Sequence, residues 1–244
     1  SAALVLCSAE AADEMGVPRD RWVFPHVGLE SSLSLSLSRR VDLHRWPAMQ
    51  VLGDAAAAHV GTAIADMDHI EIYSCFPAAV RVQQAELGLD VGRVPTVTGG
   101  MAFAGGPFNN FVYQATVPII ERVREEPGSF GAVTVVSGLL TKPGLAVWST
   151  EPPTDGVLID DLVDRARPAT AEVPLDESPS GRGRVATYTV VPVGDVPARL
   201  VAIVDLDSGR RAVAALDDAD VAADAITTDL IGAEVGVGGL ALSV

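Results

Sequence analysis

The run Thr98-Gly99-Gly100-Met101-Ala102-Phe103-Ala104-Gly105-Gly106-Pro107-Phe108-Asn109-Asn110-Phe111 holds the residue types best suited to receiving a ligand. Paired glycines let the backbone take positive φ and approach a ligand, or another backbone, more closely than side chains would permit. The loop runs through Asn109-Asn110 into an apolar-periodic stretch, residues 111–124. That is the pattern of a helix whose first N–H groups favour anions and oxyanions. Such a loop makes a site or a tight crossing under a buried helix. Other chemistry is sparse. Cys7 and Cys75 form no CxxC pair, so a disulfide framework is not expected and a reducing cytoplasm is the expected compartment. His26, His44, His59 and His69 lack metal-ligand spacing, and no metal is expected.

The elements that must position this loop alternate. Residues 2–7 read as an apolar strand, Ser8 as an N-cap and 9–15 as a helix closed by Gly16. Nothing precedes that strand, so its sheet neighbours are expected outside this sequence. Residues 22–27 read as a strand, 31–38 as an extended serine–leucine alternation, and 48–64 as a buried helix opened by Pro47. A strand at 69–73, a helix at 76–87, the glycine loop and the helix from Phe111 follow. The helix is expected to break at Pro118 or stop near Pro127-Gly128. Strands at 132–137 and 144–149 read as a hairpin or adjacent pair. Strands alternating with helices predict a layered α/β domain over residues 1–150. Prolines and clustered acids then mark 151–182 as a linker, with a helical turn at 158–166. Strands at 184–192, 198–205, 211–216 and 233–237 predict a small β-rich module over 183–244.

Composition sets the outer limits. The 244 residues are 48% apolar and 20% charged with a net charge of −15, the profile of a chain that buries a core. No uninterrupted apolar run reaches the ~18 residues of a membrane span. The acidic balance disfavours nucleic acid and anionic membranes as partners, and Arg182, Arg184, Arg210 and Arg211 are the only candidates for a basic patch.

Three stretches resemble, in order, the C-terminal half of thiolases and thiolase-like proteins. Ile70-Glu71-Ile72-Tyr73-Ser74-Cys75-Phe76 resembles the strand ending in Asn-Glu-Ala-Phe, or in His-Asp-Cys-Phe in the sterol-carrier branch. Residues 98–111 resemble the Gly-Gly-x-x-x-x-Gly-His-Pro loop, and Val136-Ser137-Gly138 stands in the place of the Cys-x-Gly turn. Residues 2–15 resemble the last strand of the family's N-terminal half and its following helix. The C-terminal module resembles the OB-like domain appended to thiolase-like proteins of type 1, within the acetyl-CoA acetyltransferase family.

The resemblance implies a layered C-terminal thiolase-like half followed by an OB-like barrel. It implies acyl-CoA as ligand or substrate, with no resident cofactor, and the missing N-terminal half as a partner. A further protein could dock through the OB-like module; nucleic acid, with Tyr188 as the one aromatic available for stacking, is disfavoured. Tyr73 falls where the family holds an Asn or His that binds water or the substrate carbonyl, so it is the catalytic candidate, against the alternative of a buried tyrosine with a satisfied hydroxyl. Gly99, Gly100, Gly105, Gly106, Asn109, Asn110, Ser137 and Gly138 are the substrate-binding candidates. The departures matter as much. Gly106 replaces the family's histidine and Val136 its cysteine, and neither glycine nor valine carries a proton or makes a thiolate. Three readings follow: an acyl-CoA binder without thiolysis, a retro-aldolase on an acyl-CoA side chain using Tyr73, or a non-catalytic docking subunit. Acetoacetyl-CoA cleavage in a coupled assay should accordingly be absent; turnover in the usual range of ~1–10³ s⁻¹ would contradict the reading of Gly106 and Val136.

Overall fold

A computed structural model describes residues 2–243, which fall into two compact units. The first takes in the chain up to Ser34 and His44–Thr170; the second takes in Leu35–Leu43 and the chain from Ala171 onward.

In the first unit a short helix α1 (Ala9–Glu14), capped by the Ser8 hydroxyl, precedes β1 (Phe24–Glu30). Helix α2 (Pro47–Val60) starts on proline, which is preset for a first helical turn. Strand β2 (His69–Glu71), helix α3 (Pro77–Glu86), a single turn α4 (Met101–Ala104) and α5 (Phe111–Glu125) come next. Strands β3 (Phe130–Ser137), β4 (Lys142–Ser149) and β5 (Leu158–Asp161) and helix α6 (Val163–Ala169) complete the unit. The sheet order is β2-β3-β4-β1-β5. β3 and β4 form a hairpin in unbroken register from Phe130↔Ser149 to Ser137↔Lys142. β2 runs parallel to β3 and β5 parallel to β1, while β4 opposes both β1 and β3. Four strands therefore end together, at Glu30, Glu71, Ser137 and Asp161. In open α/β sheets this carboxyl edge is where ligands bind.

The core forms where α5 meets β3. Phe111, Ala115 and Ile119, spaced one turn apart, pack with Val133 in one buried cluster. Gly131 makes the approach possible, because a Cβ there would collide with Ile119. α5 passes through Pro118 without stopping and ends at Glu125; burial of Ile119, Ile120 and Val123 outweighs the hydrogen bond that proline removes.

Two expectations are corrected here. Residues 2–7 form no strand: Val5 and Leu6 are exposed and the segment joins no ladder among the described residues. Stretch 151–182, read as a linker, contains β5 and α6. β5 pairs with β1 from Val27↔Leu158 to Glu30↔Asp161, and Ala166 of α6 is fully buried. β5 is an edge strand with Ile159, Asp160 and Asp161 exposed, which is why its composition resembles a linker.

The second unit is a closed five-stranded barrel, ordered β10-β8-β7-β6-β9. It comprises β6 (Ser180–Val193), β7 (Val196–Leu206), β8 (Arg211–Leu216), helix α7 (Ala219–Thr227), β9 (Glu234–Gly238) and β10 (Ala241–Ser243). β6–β7, β7–β8, β6–β9 and β9–β10 pair antiparallel, and β8–β10 parallel. The interior alternates larger residues (Val185, Leu200, Val204, Val235, Val237, Leu242) with alanines 202, 212 and 214, as a narrow barrel requires. Asp218 caps α7 by accepting from the Asp220 and Val221 amides.

Leu35–Leu43 joins this unit through a buried arginine. Arg211 donates to Asp205 Oδ1 at 2.6 Å and to the carbonyls of Arg40 and Val41, while residue 40 bridges residue 172. Arg211→Met should retain the stem but remove the guanidinium donors that serve Asp205 and the carbonyls of residues 40 and 41. A loss of about 2–3 kcal/mol confined to the barrel unit is expected, read by hydrogen exchange in β8 and residues 39–41 under mild denaturant.

Candidate functional site

The site begins with a buried charge. Glu71, the last residue of β2, is fully buried and has no ion-pair partner among the described residues. Its carboxylate instead receives the Thr96 hydroxyl at 2.8 Å on both oxygens, the Val97 amide at 2.8 Å, the Thr98 amide at 2.9 Å and the Thr98 hydroxyl at 2.9 Å. All four donors come from the three residues that lead into Gly99-Gly100. The loop is thereby tied to the end of the sheet.

Tyr73, two residues further on, is held by its backbone. Its amide donates to Thr134 Oγ1 at 2.9 Å, and its carbonyl accepts from Gln83 Nε2 at 2.9 Å. Thr134 in turn donates to Gln83 Oε1 at 2.6 Å, closing a buried polar network between β3 and α3. The ring stands edge-on to Phe111, with centroids 5.4 Å apart and planes at 88°. No described residue hydrogen-bonds the phenol oxygen, although the ring is half-buried. Burial first, and the neighbouring Cys75 second, raise its pKa above the ordinary tyrosine value. At neutral pH this group is protonated and can donate a hydrogen bond. Cys75 also has its pKa raised by burial, the opposite of a reactive thiolate.

Within the loop the glycines divide by role. Gly100, at φ 72°, lies over Ser74, whose Oγ would be 2.8 Å from any Cβ placed there. Its amide donates to Thr98 Oγ1 at 3.1 Å, and the Met101 amide to Ser74 Oγ at 2.9 Å. The amide of Gly100, a candidate to greet a ligand, is therefore already engaged, and so is that of Met101. The Gly105 amide reaches the Met101 carbonyl at 3.2 Å, closing α4. Gly106 differs: its N–H meets no acceptor among the described residues, and a Cβ there would meet nothing within 4 Å. Phe108 follows at φ 50°, a left-handed conformation unusual for an aromatic, and its ring is 88% exposed. Asn109 is exposed; the Asn110 amide group is engaged both ways with the Ala2 backbone, at 2.9 and 3.1 Å.

Ser137 and Gly138 lie at the end of β3, the neighbour of β2, so the topology sets them at the same sheet edge as Tyr73. Val136 is a paired strand residue opposite Pro143 with a buried side chain, and the turn occupies the residues after Ser137. Gly138 takes φ 64° beside Thr141, whose amide and hydroxyl both bond the Ser137 carbonyl. The described residues contain no group of three side chains able to hold a metal. His26 and His59 each bond a backbone carbonyl, and His69 lies 3.3 Å from Glu126. No helix is long and apolar enough to cross a membrane among the described residues.

The sequence alone assigns no role to Glu71, Gln83, Thr98 or Thr134. The available signal was a glutamate inside the apolar run Ile70-Glu71-Ile72, with Thr96-Val97-Thr98 immediately before the glycines. On the barrel, the cations of the suspected basic patch are all paired: Arg182 and Arg184 with Glu234, Arg210 with Asp176 and Arg211 with Asp205. The Tyr188 hydroxyl is satisfied by the carbonyls of Ala225 and Thr228.

The raised Tyr73 pKa has a signed consequence. Below the free-tyrosine value of about 10 the phenol is protonated both folded and unfolded and contributes nothing to pH dependence. Above it the unfolded chain ionises first, so stability falls as pH rises. Spectrophotometric titration should show one tyrosine ionising above the free value, missing in Tyr73→Phe, and that variant should lose less stability in alkali.

No protein-family profile matches this chain, and no curated protein does. Among solved structures it is similar to the crystal structure of a monomeric SCP2-thiolase-like protein type 1 from Mycobacterium smegmatis, with a TM-score of 0.86 and 30% identity. The match covers 95% of this chain and 52% of that one. The chain has a thiolase-like α/β fold accompanied by a closed five-stranded barrel, and it spans about half the length of the protein it matches.

Proposed function

We propose that this chain is the C-terminal half of a thiolase-like protein with its appended OB-like module, and that it binds acyl-CoA at the glycine loop without thiolysis. The observation that carries the reading is a pair of donors, one at the sheet edge and one in the loop, from which no described residue accepts. The Tyr73 phenol lacks an acceptor, and the Gly106 N–H lies in a loop with room beside it. A thioester carbonyl is an acceptor for such donors, and a neutral hydrogen bond of this kind contributes about 0.5–1.5 kcal/mol to binding. The remaining loop residues, Gly99, Gly100, Gly105 and Asn109, with Asn110 and Ser137-Gly138, would shape the cavity. Likeness to an SCP2-thiolase-like protein supports the ligand class. The absence of an imidazole at Gly106 and of a thiol at Val136 supports binding over Claisen chemistry.

The barrel supports the OB-like part of the reading: five strands close with the third and fifth parallel and a helix between the third and fourth. With its arginines paired it favours a protein partner over nucleic acid. An N-terminal thiolase-like half is the first partner expected. Exposed Val5 and Leu6 on an unpaired extended segment, and exposed Phe76, Phe103 and Phe108, are the surfaces it would cover. A cytoplasmic location accords with two unpaired cysteines.

Retro-aldol cleavage is the second reading, favoured by the same phenol. With its pKa raised, Tyr73 would serve as hydrogen-bond donor to the enolate oxygen left when the carbon–carbon bond breaks, and another group would have to act as base.

Calorimetric titration of the intact protein with acetyl-CoA and longer acyl-CoA esters tests the site. Gly106→Leu should abolish binding while the fold persists, since a side chain at 106 meets no neighbour within 4 Å of its Cβ. Tyr73→Phe should weaken binding about five- to tenfold, the worth of one hydrogen bond. Unchanged affinity in both variants would mean that the loop only packs.

A further inference from the structure

We infer that Glu71 is the positioning residue of the glycine loop: by gathering the Thr96 and Thr98 hydroxyls and the Val97 and Thr98 amides, it fixes which loop N–H groups remain open to a ligand. The inference rests on the reading of the loop as the acyl-CoA site, which it deepens by separating the donors that bind from those that hold the loop.

Successive N–H groups pointing at one anion make a nest of the kind that binds phosphate or carboxylate from solution. Here the Val97 and Thr98 amides converge on Glu71 Oε2 at 2.8 and 2.9 Å. An internal carboxylate therefore already fills this nest. Thr98 carries the effect onward. Its hydroxyl donates to Glu71 Oε1 at 2.9 Å, which turns its lone pair to the Gly100 amide at 3.1 Å. The Gly100 N–H is thereby withdrawn from the ligand side, and Ser74 withdraws the Met101 N–H in the same way at 2.9 Å. Downstream, the Ala102, Gly106 and Asn109 N–H groups meet no acceptor among the described residues, and of the three only Gly106 has no side chain to crowd a ligand. Glu71 touches neither ligand nor Gly106; it acts through the geometry of residues 96–100. A carboxylate suits the task because it only accepts, and its two oxygens can serve all four donors at once. Full burial without an ion-pair partner among the described residues makes release costly, so the clamp stays closed.

Three variants and one probe test this. In Glu71→Gln the amide oxygen can serve the two backbone N–H groups while its NH₂ donates to hydroxyls free to rotate. The Gly99, Gly100 and Gly106 amide resonances should remain near their wild-type positions. Glu71→Leu removes every acceptor. Exchange at the Val97, Thr98 and Gly100 amides should accelerate by about tenfold or more, with Ala132 and Val133 in β3 still protected. Thr98→Val keeps the β-branch and most of the Glu71 contacts, and decides the matter if the leucine variant fails to fold. It should shift the Gly100 and Gly106 resonances without loss of β3 protection. The inference is overturned if Glu71→Leu leaves the glycine resonances in place, if it loosens loop and sheet uniformly, or if Thr98→Val leaves Gly100 and Gly106 unmoved. Acetyl-CoA is the probe for the underlying reading. Affinity kept in Glu71→Gln and lost in Glu71→Leu supports both. Failure of the wild-type protein to bind acetyl-CoA overturns only the acyl-CoA reading, because resonances and exchange are measured without ligand.

Discussion

A carboxylate buried at the end of a strand, with four neutral donors and no ion-pair partner among the described residues, is the interaction on which the first unit depends. Desolvating an ion costs several kcal/mol, and the cost is offset only while every lone pair is served. Residues 96–98 therefore cannot leave the sheet without stranding a charge. Because Gly99-Gly100 and α4 follow directly, the same constraint fixes where the glycine loop begins. The Thr134–Gln83 pair performs the matching service on the other side of β2, holding both backbone groups of Tyr73. One strand of three residues thus carries a site because two polar networks brace what comes after it.

What the braced site can do follows from what it lacks. Claisen chemistry needs a base to raise a nucleophile and an acid to quench a carbanion. The sheet edge offers instead a phenol whose proton is held more tightly than usual and a thiol likewise shifted away from the thiolate. Both shifts have burial as their leading cause. Low polarity that suppresses ionisation strengthens a hydrogen bond to a carbonyl, so the environment suits recognition better than proton abstraction.

The barrel solves a different problem. A closed sheet has no edge to protect, but its interior must be filled by side chains that fit a small radius. Alanines at 202, 212 and 214 and Gly183, where a Cβ would strike the Asp205 carbonyl, permit that closure. Segment Leu35–Leu43 arrives from far away in the chain and is held by Arg211, whose fork reaches one carboxylate and two carbonyls. Arginine's planar, multiply donating head suits a joint between backbone segments that share no local sequence.

Periodicity and punctuation sufficed for the local elements. The alternation of strand and helix, the hairpin at residues 130–149, the α5 face and the glycine loop were all legible, because helices, hairpins and turns are decided by neighbours a few residues apart. Motif order also pointed to a thiolase-like fold, in accord with the solved structure that resembles the chain. Tertiary structure decided the rest. Residues 2–7 have strand composition but no strand beside them, and β5 has linker composition but pairs with β1. In both cases the deciding hydrogen bonds come from residues that local pattern does not identify. Glu71 shows the same limit at the site. A glutamate in an apolar run looks like an interruption until Thr96, Val97 and Thr98, 25 to 27 positions away, supply its donors. Which residues hold a loop, and which of its amides stay open, depend on who satisfies whom across the fold, and that is settled only when the distant groups meet.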